Sequence, residues 1–80
     1  MQVSIDISFY PLQEDYKAPI TDFIRRLQGD PEIRVSQNSM STSLHGDYAQ
    51  LMALLEREIA QSLSVLPHSV FVLKLSAACH

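Results

Sequence analysis

The chain has 80 residues, 46% of them hydrophobic, and its six Lys and Arg against nine Asp and Glu give a formal net charge of −3. This length reads as one domain, residues 1–80, and the hydrophobic content is that of a globular chain rather than a disordered one. The scattered cations form no basic stripe, which argues against nucleic acid, and no apolar run approaches the roughly 20 residues of a membrane span.

A domain of this size buries only roughly 60–65% of its unfolded surface, so association with other copies is expected. No basic segment followed by an apolar core marks a signal peptide. The one cysteine, Cys79, rules out an internal disulfide and suits a reducing compartment. The expectation is a cytoplasmic protein.

Residues 2–10 alternate cleanly. Val3, Ile5, Ile7 and Phe9 point one way, and Gln2, Ser4, Asp6, Ser8 and Tyr10 the other, which predicts a strand with one buried face. Pro11 ends it, because proline cannot donate to a ladder. Residues 16–28 place Tyr16, Ile20, Phe23, Ile24 and Leu27 on a helical stripe, with Asp15 as N-cap, Pro19 in the first turn and Gly29 as the stop. Ile33 and Val35 make a short second strand, and Gln37-Asn38 is the expected turn out of it.

The third strand is the unusual one. In residues 38–45, Met40, Thr42 and Leu44 fall on one side, and Ser39, Ser41, Ser43 and His45 on the other. A row of small hydroxyls lets something approach the backbone closely, either a second sheet or a flat polar ligand. A one-residue slip in the preceding turn would exchange the two faces.

Gly46-Asp47 opens a second helix, with Asp47 and Gln50 spaced like a capping box. Its expected buried stripe is Tyr48, Leu51, Met52, Leu55, Ile59 and Leu63, with Glu56, Arg57 and Glu58 toward solvent. A loop at 64–68 leads to a last strand, Val70 to Leu75, and a tail from Ala77.

The order β-α-β-β-α-β, with right-handed crossovers, predicts an α+β ferredoxin-like sandwich: a four-stranded antiparallel sheet with both helices on one face. Strands 1 and 3 lie at its centre. The uncovered face carries Ser4, Asp6, Ser8, Tyr10, Arg34, Ser36, the serine row and His45, then Val70, Val72 and Lys74 at the edge. Asp6 there is solvated, paired with Lys74 or held for a ligand.

No catalytic constellation stands out. His45, His68 and His80 are not spaced as metal ligands on one element, no nucleophile elbow is present, and two glycines build no phosphate-cradling loop. The expectation is no enzyme, no cofactor and no metal; were the chain an enzyme, Asp6 or His45 would be its base or nucleophile. Met40 and Met52 read as core filler. Tyr10 either stacks on a planar ring or cation, or closes an edge between copies.

Tyr10-Pro11-Leu12, Asp15-Tyr16, Pro19-Ile20, Asp22-Phe23-Ile24, Asn38-Ser39-Met40-Ser41-Thr42 and Gly46-Asp47-Tyr48 resemble, in order and spacing, the YkoF-type thiamine/hydroxymethylpyrimidine-binding proteins. The resemblance runs from about residue 3 to residue 75. It implies the same fold and a non-catalytic role, binding thiamine or its hydroxymethylpyrimidine precursor in vitamin salvage or transport. It points to a site near Tyr10 and residues 38–42, and with the residues of the open face the candidate set is Asp6, Ser8, Tyr10, Asn38, Ser39, Met40, Ser41 and Thr42. Fuller members carry two such domains in tandem, so a homodimer or higher homo-oligomer of this one-domain chain would restore that arrangement. The alternative is a structural or regulatory module that uses the open face only to assemble. Parity sets a condition on any site: Met40 and Thr42 should face the helices and Ser39 and Ser41 away, so they line one pocket only at a bulge or at the sheet's edge.

Overall fold

The computed structural model describes residues 1–38 and 41–77. Its elements are β1 (Gln2–Tyr10), α1 (Lys17–Leu27), β2 (Arg34–Gln37), β3 (Thr42–Asp47), α2 (Tyr48–Val65) and β4 (Val70–Ala77). The four strands form one sheet in the order β2-β3-β1-β4, every neighbouring pair antiparallel. This is the ferredoxin-like arrangement that the order of elements predicts.

The strand register decides which residues share a face. Directly opposite residues point the same way. Ile5 stands opposite Leu44 and Leu75, and Ile7 opposite Thr42 and Leu73. On the other face Ser4 stands opposite His45 and Ser76, Asp6 opposite Ser43 and Lys74, and Arg34 opposite His45. No slip has occurred, and the open face is the predicted one.

Val3, Ile5, Ile7 and Leu44 meet Phe23 and Leu27 of α1 and Leu51, Leu54 and Leu55 of α2 in one buried cluster, so both helices cover the same face. Burying each such side chain stabilises by about 1.5–3 kcal/mol relative to leaving it in water. Gly46 sits in this layer where Ile33 crosses it. A Cβ there would stand 3.4 Å from Ile33 Cγ1 and 3.7 Å from the Glu32 carbonyl, in ordinary van der Waals contact with the segment that crosses it.

The helices differ from expectation in detail. Helix α1 is preceded by Tyr16, not Asp15, and no side chain caps it. Gly29 follows its end without a positive φ; its N–H simply closes a turn onto the Arg26 carbonyl at 3.2 Å. In α2, Asp47 does cap: its carboxylate accepts from the Gln50 N–H at 3.3 Å. The reciprocal half of the box is missing, because the Gln50 amide donates instead to Glu32 at 2.6 Å.

The buried stripe of α2 is Leu51, Leu54, Leu55 and Ser62. Tyr48, Met52 and Leu63 are exposed, contrary to expectation. Glu58, expected toward solvent, turns inward instead. It is largely buried and accepts from Arg26 Nη1 at 2.7 Å, while Arg26 Nη2 donates to Ser62 Oγ at 2.7 Å and Nε to Asp22 at 3.1 Å. A polar clamp thus joins α1 to α2 where a row of hydrophobic residues was expected. Among the described residues, no helix is long and apolar enough to cross a membrane.

Candidate functional site

The serine strand begins later than its sequence pattern suggests. Asn38 and Ser41 are tied across the connection from β2: the Asn38 N–H donates to the Ser41 carbonyl at 3.0 Å, and the Asn38 side-chain oxygen accepts from the Ser41 N–H at 2.8 Å. Asparagine is one of the residues whose side chain bonds nearby backbone in this way. Ser39 and Met40 lie outside the described residues.

Among the described residues, the β1–β3 ladder runs to Ile7 opposite Thr42, and β1 pairs with β4 as far as Tyr10 opposite Val70. Two clefts form at this end, and both are lined by Ser8 and Ser41.

The first cleft, about 120 Å³, lies on the helix side. Asn38, Ser41, Thr42 and Ser8 supply its polar rim, and Phe9, Phe23 and the isoleucines Ile20 and Ile24 its apolar wall. The wall is held rigid. Phe9 stacks on Phe71 with centroids 4.4 Å apart and planes 7° from parallel, and meets Phe23 edge-on at 5.3 Å. The second cleft, about 250 Å³, lies on the open face between Asp6, Tyr10, Val72 and Lys74. Asp6 accepts from Ser43 Oγ at 2.6 Å. Lys74 is its cross-strand neighbour, but no ion pair joins the two.

The candidate residues thus divide. Asn38 and Thr42 line the helix-side cleft, Asp6 and Tyr10 the open-face cleft, and Ser8 and Ser41 both. Ser41 and Thr42, of opposite parity, both line the helix-side cleft; the same condition for Ser39 and Met40 falls outside the described residues. Tyr10 does not face the helix-side cleft, whose rings come from Phe9 and Phe23. Alternation counts both as core, so pattern alone did not single them out. Their one sequence signal is position, Phe9 beside Tyr10-Pro11 and Phe23 on the inward stripe of α1.

Elsewhere on the open face, Ser4 Oγ and His45 Nδ1 are 2.9 Å apart. Among the described residues no carboxylate orients this pair, and no three His, Cys, Asp or Glu side chains gather as metal ligands. The largest cavity, about 330 Å³, lies on the other side of α1, between Pro19, Arg26 and Leu66. None of the candidate residues lines it.

Comparison with known proteins agrees with this fold. The model of the YKOF-related family matches residues 2–80. Among solved structures, the protein SP2199 from Streptococcus pneumoniae superposes with a TM-score of 0.89 at 22% identity, covering 99% of this chain and 89% of that one. A candidate thiamine biosynthesis/salvage protein of Thermotoga maritima, TM0486, gives 0.85 at 15% identity, covering 98% and 85%. The hypothetical protein MJ1052 of Methanocaldococcus jannascii gives 0.83 at 20% identity, covering 98% and 81%. At these identities the likeness is one of fold. No curated protein matches the chain.

Proposed function

Since the chain belongs to the YKOF-related family, we propose that it binds thiamine or its hydroxymethylpyrimidine precursor reversibly and without catalysis, in salvage or transport of the vitamin. The observation that carries this is the helix-side cleft: about 120 Å³, the scale of one substituted six-membered ring, with aromatic walls and a rim of amide and hydroxyl groups. An aminopyrimidine presents a donor edge and ring-nitrogen acceptors, and Asn, Ser and Thr serve both kinds. The thermotogal structure described as a candidate thiamine biosynthesis/salvage protein shares this fold.

In this reading the pyrimidine ring enters between Phe9, Phe23, Asn38 and Thr42. Ser8 and Ser41 stand at the junction with the open face. There the cationic thiazolium of thiamine meets Asp6, with Tyr10 as its aromatic neighbour. Ser39 and Met40 complete the proposed set of ligand-binding residues. The protein works in the cytoplasm, as a homodimer or a higher homo-oligomer. The competing reading, an assembly module with no ligand, draws on the exposed apolar side chains of β4.

Isothermal titration separates the two. Thiamine and hydroxymethylpyrimidine are each titrated into the wild type, Ser41→Ala and Asp6→Asn. Expected are saturable binding of both compounds, weakening of both by Ser41→Ala, and weakening of thiamine alone by Asp6→Asn. No heat from either compound at millimolar concentration overturns the proposal and favours the assembly module.

A further inference from the structure

The cavity of about 330 Å³ between α1 and the end of α2 takes no part in the reading above. Its volume falls within the range of about 300–1,000 Å³ typical of small-molecule sites. The helix-side cleft, at about 120 Å³, is smaller. Helix α1 stands between the two. Ala18, Pro19, Asp22 and Arg26 recur at helical spacing and line the cavity, whereas Ile20, Phe23 and Ile24 line the cleft. Gln61, Ser62 and Val65 from the last turns of α2, with Leu66 just beyond it, form the facing wall. Gln13 and Asp15 come from the connection between β1 and α1.

The polar groups of this cavity are unequally occupied. Ser62 is 5% exposed, and its Oγ accepts from Arg26 Nη2 at 2.7 Å. The Arg26 guanidinium is occupied as well: Nη1 donates to Glu58 at 2.7 Å and Nε to Asp22 at 3.1 Å. An anion brought to it would be repelled by those two carboxylates. Asp15 is the contrast, because its carboxylate makes no ion pair among the described residues. The Gln13 amide donates to the Asp15 main-chain carbonyl, which leaves the Gln13 side-chain oxygen as an acceptor. Asp22 is an anion at neutral pH, its carboxyl held below the ordinary value chiefly by the hydrogen bond from Arg25. The spare capacity of the rim is therefore that of acceptors, two carboxylates and an amide oxygen. The wall behind them is apolar, made by Phe9, Ala18, Pro19, Val65 and Leu66.

We propose that this cavity is a second ligand site, selective for a small primary ammonium ion whose apolar body is one ring or a short branched chain. An ammonium has three N–H donors and no acceptor, which matches the rim. Its charge is opposite to those of Asp15 and Asp22, and its body takes the place of water against the apolar wall. A hydroxyl in its place brings one donor and no charge, and a carboxylate brings repulsion. The clamp of Arg26 with Glu58 and Ser62 fixes α1 against α2 beside the cavity, so little has to be ordered on binding. The site is independent of the vitamin reading. Thiamine carries its positive charge on a nitrogen without N–H, and of the residues named for that reading only Phe9 also lines this cavity.

The test is calorimetric titration of phenethylammonium into the wild type, Asp15→Asn and Ala18→Trp, with phenethyl alcohol and phenylacetate as neutral and anionic controls. Both substituted positions are exposed, and circular dichroism checks that each variant is folded. Expected is saturable binding of the ammonium at millimolar concentration, with both controls about tenfold weaker. Asp15→Asn should weaken it about threefold, and Ala18→Trp, whose indole fills the cavity, should abolish it. In isotope-labelled protein the amide resonances of Asp15, Ala18, Asp22 and Gln61 should shift, and those of Asn38 and Thr42 should stay.

The proposal is overturned if the ammonium does not bind saturably, if the controls bind equally well, or if both variants leave binding unchanged. Shifts confined to Asn38 and Thr42, with displacement by thiamine, overturn it too. Thiamine binding retained in Ala18→Trp, which has lost the ammonium, supports two separate sites. A wild type that takes the ammonium and gives no heat with thiamine defeats only the vitamin reading. One that takes thiamine alone defeats only this site.

Discussion

The two faces of β1 and β3 are made from the same residues taken alternately, and they do opposite things. On the helix side Val3, Ile5, Ile7 and Leu44 are almost wholly removed from water. On the open side Ser4, Asp6, Ser43 and His45 spend their polar groups on one another, Ser4 with His45 and Asp6 with Ser43. Stability therefore resides on one face and adaptable hydrogen bonding on the other, one residue apart along the chain. Ser8 and Ser41, beside the start of β3, line clefts on both faces.

This contrast can be broken most forcefully at Leu44. Leu44→Ala removes a fully buried side chain from the centre of the cluster and should cost about 2–5 kcal/mol of unfolding free energy, seen as a drop in denaturant midpoint. Its neighbour in sequence, Ser43, belongs to the other face. Ser43→Ala should cost no more than about 1 kcal/mol, because the Asp6 carboxylate it leaves behind is open to water. Equal losses from the two substitutions would refute the division of labour.

A finer test uses Asp47. By parity it belongs to the open face, yet its carboxylate acts on the helical layer as the cap of α2. The Gln50 N–H holds its pKa below the ordinary value. The folded value is thus lower than the unfolded one near 3.8, so its contribution is complete above that value and is lost as the pH falls through the folded value. Asp22 behaves likewise, lowered chiefly by its hydrogen bond from Arg25. Asp47→Ala should destabilise the protein slightly at neutral pH and flatten its loss of stability below about pH 4. An acid unfolding curve parallel to that of the wild type would remove Asp47 from this role.

Much of the fold is legible in the residues because β1 alternates without a fault and the order of elements leaves few topologies. The faces of β3 were legible for the same reason. The buried side of α2 was not, because Tyr48, Met52 and Leu63 satisfy a hydrophobic periodicity, while the face that packs inward holds Leu54 and Ser62 and brings Glu58 to Arg26, thirty-two residues away in the chain. A polar clamp between helices leaves no periodic mark. The candidate site was half legible. Asn38, Ser41 and Thr42 stand out as a polar run, but Phe9 and Phe23 look like any core aromatic until the end of β3 exposes the space between them. Which cleft each residue lines follows from how the hydrogen bonds between Asn38 and Ser41 lead the chain into β3, which alternation alone does not reveal.

The order of the strands also governs how the chain acquires its structure over time. β1 is the first element made, and its two neighbours, β3 and β4, come fourth and sixth. On a ribosome, β1 must wait for both, and for some time one of its edges stands open with Ile5, Ile7 and Phe9 beside it. Contacts of long sequence separation such as Val3 with Ala77 make folding slow relative to a helical bundle of equal size. Folding therefore cannot be completed before β4 is synthesised. Until then the nascent chain presents an unpaired apolar strand to its surroundings, and this is when aggregation competes most strongly with folding.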